Sequence, residues 1–262
     1  MKQLQAKDKR NILNVLSFYE SIGVSLQINL HQIDSKKNLL ELTKYNIKKN
    51  LEISNVKEEN KSDTLGNSAD KIDRLENSFK NFNGCNLKKT ATNFIKFQGS
   101  KNADILFIDG TPDTEEDKAG KSFISTKGDL FEKMLNAINL KKEDILIVNA
   151  IPWRPPGNRY PTEEEIKICR PFIFNLITLL KPKIIVCLGE VPTNQILDLN
   201  QSIIKTRGKW HSLSSDPINK FDSEYKPYIL PTLNISYLLL RPDMKRKAWE
   251  DMKLLRDKIK EI

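Results

Sequence analysis

From Ala103 onward, short apolar runs alternate with longer stretches whose apolar residues are helically spaced. DILFID (104–109), DILIVNA (144–150), KIIVCLG (183–189) and YILPTL (228–233) are nearly continuous in apolar residues. That pattern suits parallel strands covered on both faces. Turn residues bound them: GTPD follows the first run, PWRPPGN the second, and a proline stands just before the third. Between the runs the spacing predicts helices over Gly128–Ile138, Thr162–Leu180 and Val191–Leu197, with Thr162 and Glu165 as a capping box. A basic amphipathic helix from about Lys245 to the end closes the series. This alternation predicts an α/β fold, a three-layer sandwich around a central four-stranded parallel sheet.

The beginning of the chain has a different texture. Ile12, Leu13, Leu16, Phe18 and Tyr19 fit one amphipathic helix broken near Gly23, and Leu39, Leu40, Leu42 and Tyr45 suggest a second. From Val56 to Asp70 few residues can anchor a core, so the stretch reads as a linker, and a short helix follows over Lys71–Phe82. The expected organisation is a helical extension over 1–80, its linker near 56–70, and a main domain over 81–262.

Composition narrows the class. A chain of 262 residues, 39% hydrophobic and 29% charged, can bury a core and is not disordered throughout. No apolar run is long enough to span a bilayer, and MKQLQAKDKR lacks the parts of a secretory signal, so a soluble, cytoplasmic protein with no membrane partner is expected. Lys+Arg 43 against Asp+Glu 34 gives +9, which points weakly to a polyanion such as nucleic acid. Lysine carries most of it, beside many Asn and Ile, a bias that AT-rich coding produces by itself. Three distant cysteines, Cys85, Cys169 and Cys187, do not make a disulfide framework.

Sheets of this kind place their working site beyond the carboxyl ends of the strands. Here DGTPDTEED, NAIPWRPPGNR, LGEVP and TLNISYLLLRP should converge there. Asn149 and Asn234 stand where strand gives way to loop. An amide there can serve turn chemistry, or donate and accept at once as reading a base edge requires. Convergence of the two favours the site.

These residues carry a resemblance. From about Asn83 to its end the chain resembles the family 4 uracil-DNA glycosylases, most closely the alphaproteobacterial variety, through GCNLKKTATN (84–93), EEDKAGKSF (115–123), VNAIPWRPPGNRYPT (148–162), CRPFI (169–173), KPKIIVCLG (181–189), RGKW (207–210) and NISYLLLRP (234–242). The resemblance implies a monomeric base-excision-repair enzyme acting on uracil in single- or double-stranded DNA. It would flip out a deoxyuridine and hydrolyse its N-glycosidic bond through a cationic sugar and a departing uracil anion, with catalysis mainly by electrostatic placement.

Carried over by motif, Phe123 stacks on the base, Asn149 reads its O4 and N3–H edge, and Gly110 and Thr111 line the uracil pocket. Arg154, Asn158 and Arg159 of the RPPGNR loop, Lys209 beside Trp210, and Ser236 and Arg241 of the loop with Tyr237 and Leu238 that wedges into the duplex would contact DNA.

Three departures stand out. The motif usually written GEAPG is DGTPD here, so the glutamate falls on Gly110, which leaves Asp109 and the Glu116–Asp117 pair as substitute carboxylates; Asp109 should point to the other face. The histidine of HPSYLLR is Asn234, which keeps a donor for uracil O2; losing such a donor outright typically costs about 3 kcal/mol. Neither His31 nor His211 falls at the matching position. Many members hold a [4Fe-4S] cluster on four cysteines; Cys85 and Cys169 match two ligands, but Phe82 and Trp153 occupy the others, so no cluster and no other cofactor is expected. Cys187 reads as core. The main alternative is a DNA-binding descendant that has lost hydrolysis because of Gly110 and Asn234, and a further one is a domain used only for protein contacts.

Overall fold

A computed structural model describes residues 67–199, 201–213 and 225–262. The expected helices around 12–19 and 39–45 and the linker up to residue 66 lie outside the described residues. Contacts divide the chain into two units: 67–76 with 85–262, and 1–66 with 77–84. In the described part of the smaller unit, the ring of Phe82 closes over Gly84, where a Cβ would meet it at 2.2 Å. Helix α1 (Ser68–Asn81) replaces the expected 71–82 span. In the larger unit its first turns bury Ile72 and Leu75.

The larger unit is an α/β sheet domain. Strands β2 (Ile105–Asp109), β3 (Ile145–Asn149), β4 (Ile184–Leu188) and β5 (Tyr228–Thr232) are parallel. They stand in the order β3-β2-β4-β5, within a residue or two of the apolar runs that predicted them. A fifth strand, β1 (Gln98–Gly99), adds antiparallel to β3 at the edge, so the sheet is five-stranded rather than four-stranded. Two residues of β1 carry no periodicity that could have announced it.

Every residue of β2, β3 and β4 is buried, as near-continuous apolar runs require. One face (Ile105, Phe107, Ile145, Ile147, Ile184, Val186, Leu230) packs on Phe131 and Leu135 of α3 (Ser125–Asn136), Ile235 and Leu238 of α7 (Ile235–Leu240), and Ala248, Met252 and Leu255 of α8 (Lys245–Glu261). Next to the sheet, α5 (Glu190–Leu197) packs on β2, β4 and α4 (Glu163–Leu180). Two further helices, α2 (Thr114–Ala119) and α6 (Ile203–Thr206), are short. The capping box of α4 forms as expected: Thr162 Oγ1 accepts from Glu165 N at 3.2 Å, and Glu165 Oε2 accepts from Thr162 N at 2.7 Å.

The chain leaves central β2 for β3 on one side, then crosses back to β4 on the other. This reversal puts the switch point between the carboxyl ends of β2 and β4, where Gly110 and Gly189 stand.

Candidate active site

Asp109 and Asn149 are register partners at the carboxyl ends of adjacent strands. Partners in a parallel pair project to the same face: Asp109 meets Lys127 in the first turn of α3, and Asn149 meets Ser122 in the segment between α2 and α3. Gly110 comes one residue later, and a side chain there would instead approach Val191 of α5, with its Cβ 3.7 Å away. The alternation expected between Asp109 and Gly110 is present.

Helix α2 begins with a capping box. Asp113 accepts from the amides of Glu115 and Glu116 at 2.9 and 3.0 Å, and Glu116 Oε2 accepts from Asp113 N at 3.1 Å. Glu116 also faces inward. Its Oε1 accepts from Phe123 N at 2.7 Å, and Lys127 Nζ donates to its Oε2 at 2.9 Å and to Asp109 Oδ2 at 2.8 Å. Asp109 Oδ1 accepts from Asn234 Nδ2 at 2.8 Å. The result is a continuous buried chain, Asn234–Asp109–Lys127–Glu116–Phe123 N. Burial alone would lower the Lys127 ammonium, but the two carboxylates outweigh it and hold the ammonium above its ordinary range. Burial pushes the Glu116 carboxyl up, assisted by Asp109 and opposed by Lys127.

Phe123 has a left-handed backbone, φ 53°. For a bulky residue this costs on the order of 1–3 kcal/mol and persists only where surroundings enforce it. Glu116 holds its amide, and Gly128 makes room for its carbonyl, since a Cβ at 128 would sit 2.1 Å from Phe123 O. Its ring stacks on Phe131 with centroids 4.1 Å apart. At the end of β3, Asn149 Oδ1 accepts from the hydroxyl of Ser122, while Asn149 Nδ2 is buried without a partner. An unmade bond of this kind costs about 1–3 kcal/mol, so the site holds a donor in reserve.

The structure brings Asp109, Glu116, Phe123 and Asn149 together, with buried Gly110 and half-buried Thr111 beside them. Asn234 is differently employed from the expectation. Its amide nitrogen already donates to Asp109 and, at 3.3 Å, to Leu188 O, and its Oδ1 caps α7 by accepting from Ser236 N at 2.8 Å. Both N–H groups are used, so in this arrangement it has no donor left for a base oxygen. It lies against Gly189, whose φ of 101° and close approach, 3.0 Å from a hypothetical Cβ to Asn234 Cβ, only glycine accommodates. His211 pairs with Ile229 near the start of β5, at the opposite end of the strand from the site.

The arginines expected at DNA are held by carboxylates. Arg154 Nε donates to Asp117 at 3.1 Å and its Nη1 to Asn158 Oδ1 at 3.2 Å. Asp117 also takes the amides of Thr92 and Asn93, and these donors with Arg154 outweigh burial and bring its carboxyl below its ordinary range. Asp117 is therefore spent on anchoring loops. Arg159 forks onto Glu165 at 2.9 and 2.6 Å, and Arg241 onto Asp243 at 3.1 and 3.2 Å. Lys209 is exposed and Ser236 half-buried. Leu238 corrects an expectation: it is fully buried on the core face of α7. Leu240, two residues on and 79% exposed, is the apolar side chain that the loop presents. Helical spacing could have shown this, since Ile235 and Leu238 share a face that Leu240 leaves.

Cys85 and Cys169 are buried and free, and their thiols hydrogen-bond each other. That bond draws the Cys85 thiol down, while burial pushes Cys169 well up. Buried Trp153 packs edge-on against Phe94 at 5.8 Å. Two thiols do not fit a four-cysteine cluster, and among the described residues no group of three or more His, Cys, Asp or Glu is placed to hold a metal ion. Cys187 is buried within β4, and burial pushes its thiol strongly up.

A parallel sheet with a polar site at its switch point is the setting of many enzymes; comparison with known proteins makes the class specific. Residues 97–253 match the family model of the uracil DNA glycosylase superfamily, to which the chain belongs. Within it the chain is a member of the type-4 family. It is 31% identical over 193 residues to the type-4 uracil-DNA glycosylase of Saccharolobus solfataricus, covering 72% of this chain and 86% of that protein. It is 32% identical over 179 residues to that of Thermotoga maritima (67% and 88%), and 30% identical over 173 residues to that of Archaeoglobus fulgidus (64% and 83%). Among the described residues no helix is long and apolar enough to cross a membrane.

Proposed function

We propose that this protein is a DNA-repair hydrolase that cleaves the N-glycosidic bond of deoxyuridine in DNA and releases uracil. The relatives named as type-4 uracil-DNA glycosylases support this reading, and the alternative of a member without hydrolytic activity draws no support from them. Asn149 is the observation that carries it. A buried amide with its Oδ1 fixed by Ser122 and its Nδ2 unpartnered has a donor to give to a keto oxygen, and uracil O4 is such an acceptor. Phe123, locked in a strained backbone beside it, supplies the apolar wall. A flipped base there would bring its sugar to the loops after β2 and β4. The Leu240 tip and the arginines of the RPPGNR and LLLRP loops would face the duplex.

The donor set favours a pocket without an iron–sulfur cluster, in which Cys85 and Cys169 act as a packed thiol pair. Purified protein should then contain no stoichiometric iron. Activity is tested by incubating protein with a single-stranded oligonucleotide carrying one deoxyuridine, followed by alkali. Strand cleavage at the uracil is expected. No cleavage with protein in excess over the oligonucleotide would refute the reading.

A further inference from the structure

Lys127 lies outside every motif that points to the site, yet it is the centre of the site's charge. Its ammonium is enclosed between Asp109 and Glu116, with side-chain exposures of 6%, 0% and 1% for the three. The groups facing this enclosure are Asp109 from the end of β2, Glu116 from α2, Lys127 from α3 and the neutral Asn234 before α7. Asp113 is outside it, half-exposed, its carboxylate spent on the amides of α2. Two enclosed carboxylates against one ammonium leave a single net negative charge. Gly110, next in the chain to Asp109, adds none.

We infer that Lys127 is a positioning residue. It holds Asp109 and Glu116 ionised together, so that the cluster presents one net negative charge to the sugar cation formed as uracil leaves. This deepens the glycosylase reading and rests on it. Without the lysine, two carboxylates so close would share a proton and lose their fixed arrangement. With it, the field at the carboxyl end of β2 is set before substrate arrives, which is how preorganised charge lowers a barrier. The cluster is also tied to the base wall, because Glu116 holds the Phe123 amide and Lys127 Nζ lies 5.0 Å from the Phe123 ring centroid. One charge therefore organises both the base's wall and the sugar's electrostatic surroundings.

The test exploits net charge rather than residue identity. Asp109→Asn leaves the enclosure neutral; adding Lys127→Met returns it to one negative charge, on Glu116. Single-turnover cleavage of the deoxyuridine oligonucleotide should fall about ten- to a hundredfold in Asp109→Asn, the range expected for one charge at an intermediate effective dielectric, with little change in KM. The double variant should recover most of that loss. A lysine that merely braces the fold predicts the reverse, with the double variant no better than the single. Should either protein fail to retain the oligonucleotide in a gel shift, Glu116→Gln with and without Lys127→Met makes the same comparison, with Asp109 as the remaining charge. Wild-type cleavage with no drop in the singles, or a drop without rescue, overturns the inference alone. Absence of cleavage by the wild type overturns the glycosylase reading and this inference with it.

Discussion

Replacing Lys127 with methionine removes the charge between two buried carboxylates and keeps most of the side chain's volume. In the wild type the ammonium contacts Asp109 at 2.8 Å and Glu116 at 2.9 Å with all three side chains enclosed. Breaking a buried pair by deleting one partner typically costs about 3–5 kcal/mol, because a charge is left uncompensated. Here two are left, so we expect a loss at the upper end of that range at pH 8. The loss should depend on pH. Burial already raises the Glu116 carboxyl against the opposing pull of Lys127, so in the variant its folded-state pKa lies further above the unfolded value of about 4.3. The folded state then binds a proton more tightly than the unfolded one. Its relative stability is greatest below the unfolded value and declines as pH rises through the raised folded value. Urea denaturation of variant and wild type at pH 8 and pH 5 measures this directly: the gap should narrow by at least about 1 kcal/mol at the lower pH, one unit of pKa shift being worth that much. An equal gap at both pH values, or a variant as stable as wild type, would refute the view that Lys127 compensates buried charge.

Gly128→Ala should destabilise the domain by about 1–3 kcal/mol in thermal or urea melts, the usual cost of overpacking, since its Cβ would lie 2.1 Å from Phe123 O; it should lower cleavage more than gel-shift affinity, because the base's wall moves. The acid limb of the pH–rate profile should fall above the ordinary glutamate pKa of about 4.3, because burial raises Glu116 and its protonation cancels the enclosed negative charge; a limb at or below that value would contradict the assignment. Leu240→Ala should reduce cleavage of uracil in duplex severalfold while leaving single-stranded substrate nearly unaffected, since an apolar tip is needed only where a stack must be opened.

Much of the fold is legible in the sequence because its strands are buried on both faces. Runs such as IIVCL have no polar alternative to offer, and the Thr162–Glu165 box marks the start of α4 unaided. The edge strand Gln98–Gly99 is set by pairing with Leu146 and Ile147, nearly fifty residues away, and leaves no local trace. For the candidate site, motifs pointed to Phe123 and Asn149, but they are silent about Lys127. A lysine in the first turn of a polar helix reads as solvated, and its partners lie 18 and 11 residues upstream. One signal was available locally: Asp113 followed three residues later by Glu116 spells a capping box, which fixes the backbone that aims Glu116 inward. Asn234 misleads for a related reason. Its residue type suits a base donor, but strand ends placed Asp109 and Leu188 within its reach first.

The ion pairs at the rim bear on how this basic chain behaves before it meets a polyanion. Arg154, Arg159 and Arg241 are each held by a carboxylate of the same chain, Asp117, Glu165 and Asp243 respectively. The molecule thus carries its own counter-ions at the surface proposed to meet DNA, and its local field is weaker than the overall +9 suggests. A phosphate that engages one of these arginines must compete with a tethered carboxylate rather than displace a dissolved anion. Such an exchange releases fewer ions to solution than the count of arginines implies. It would also weaken adherence to DNA that rests on backbone charge alone.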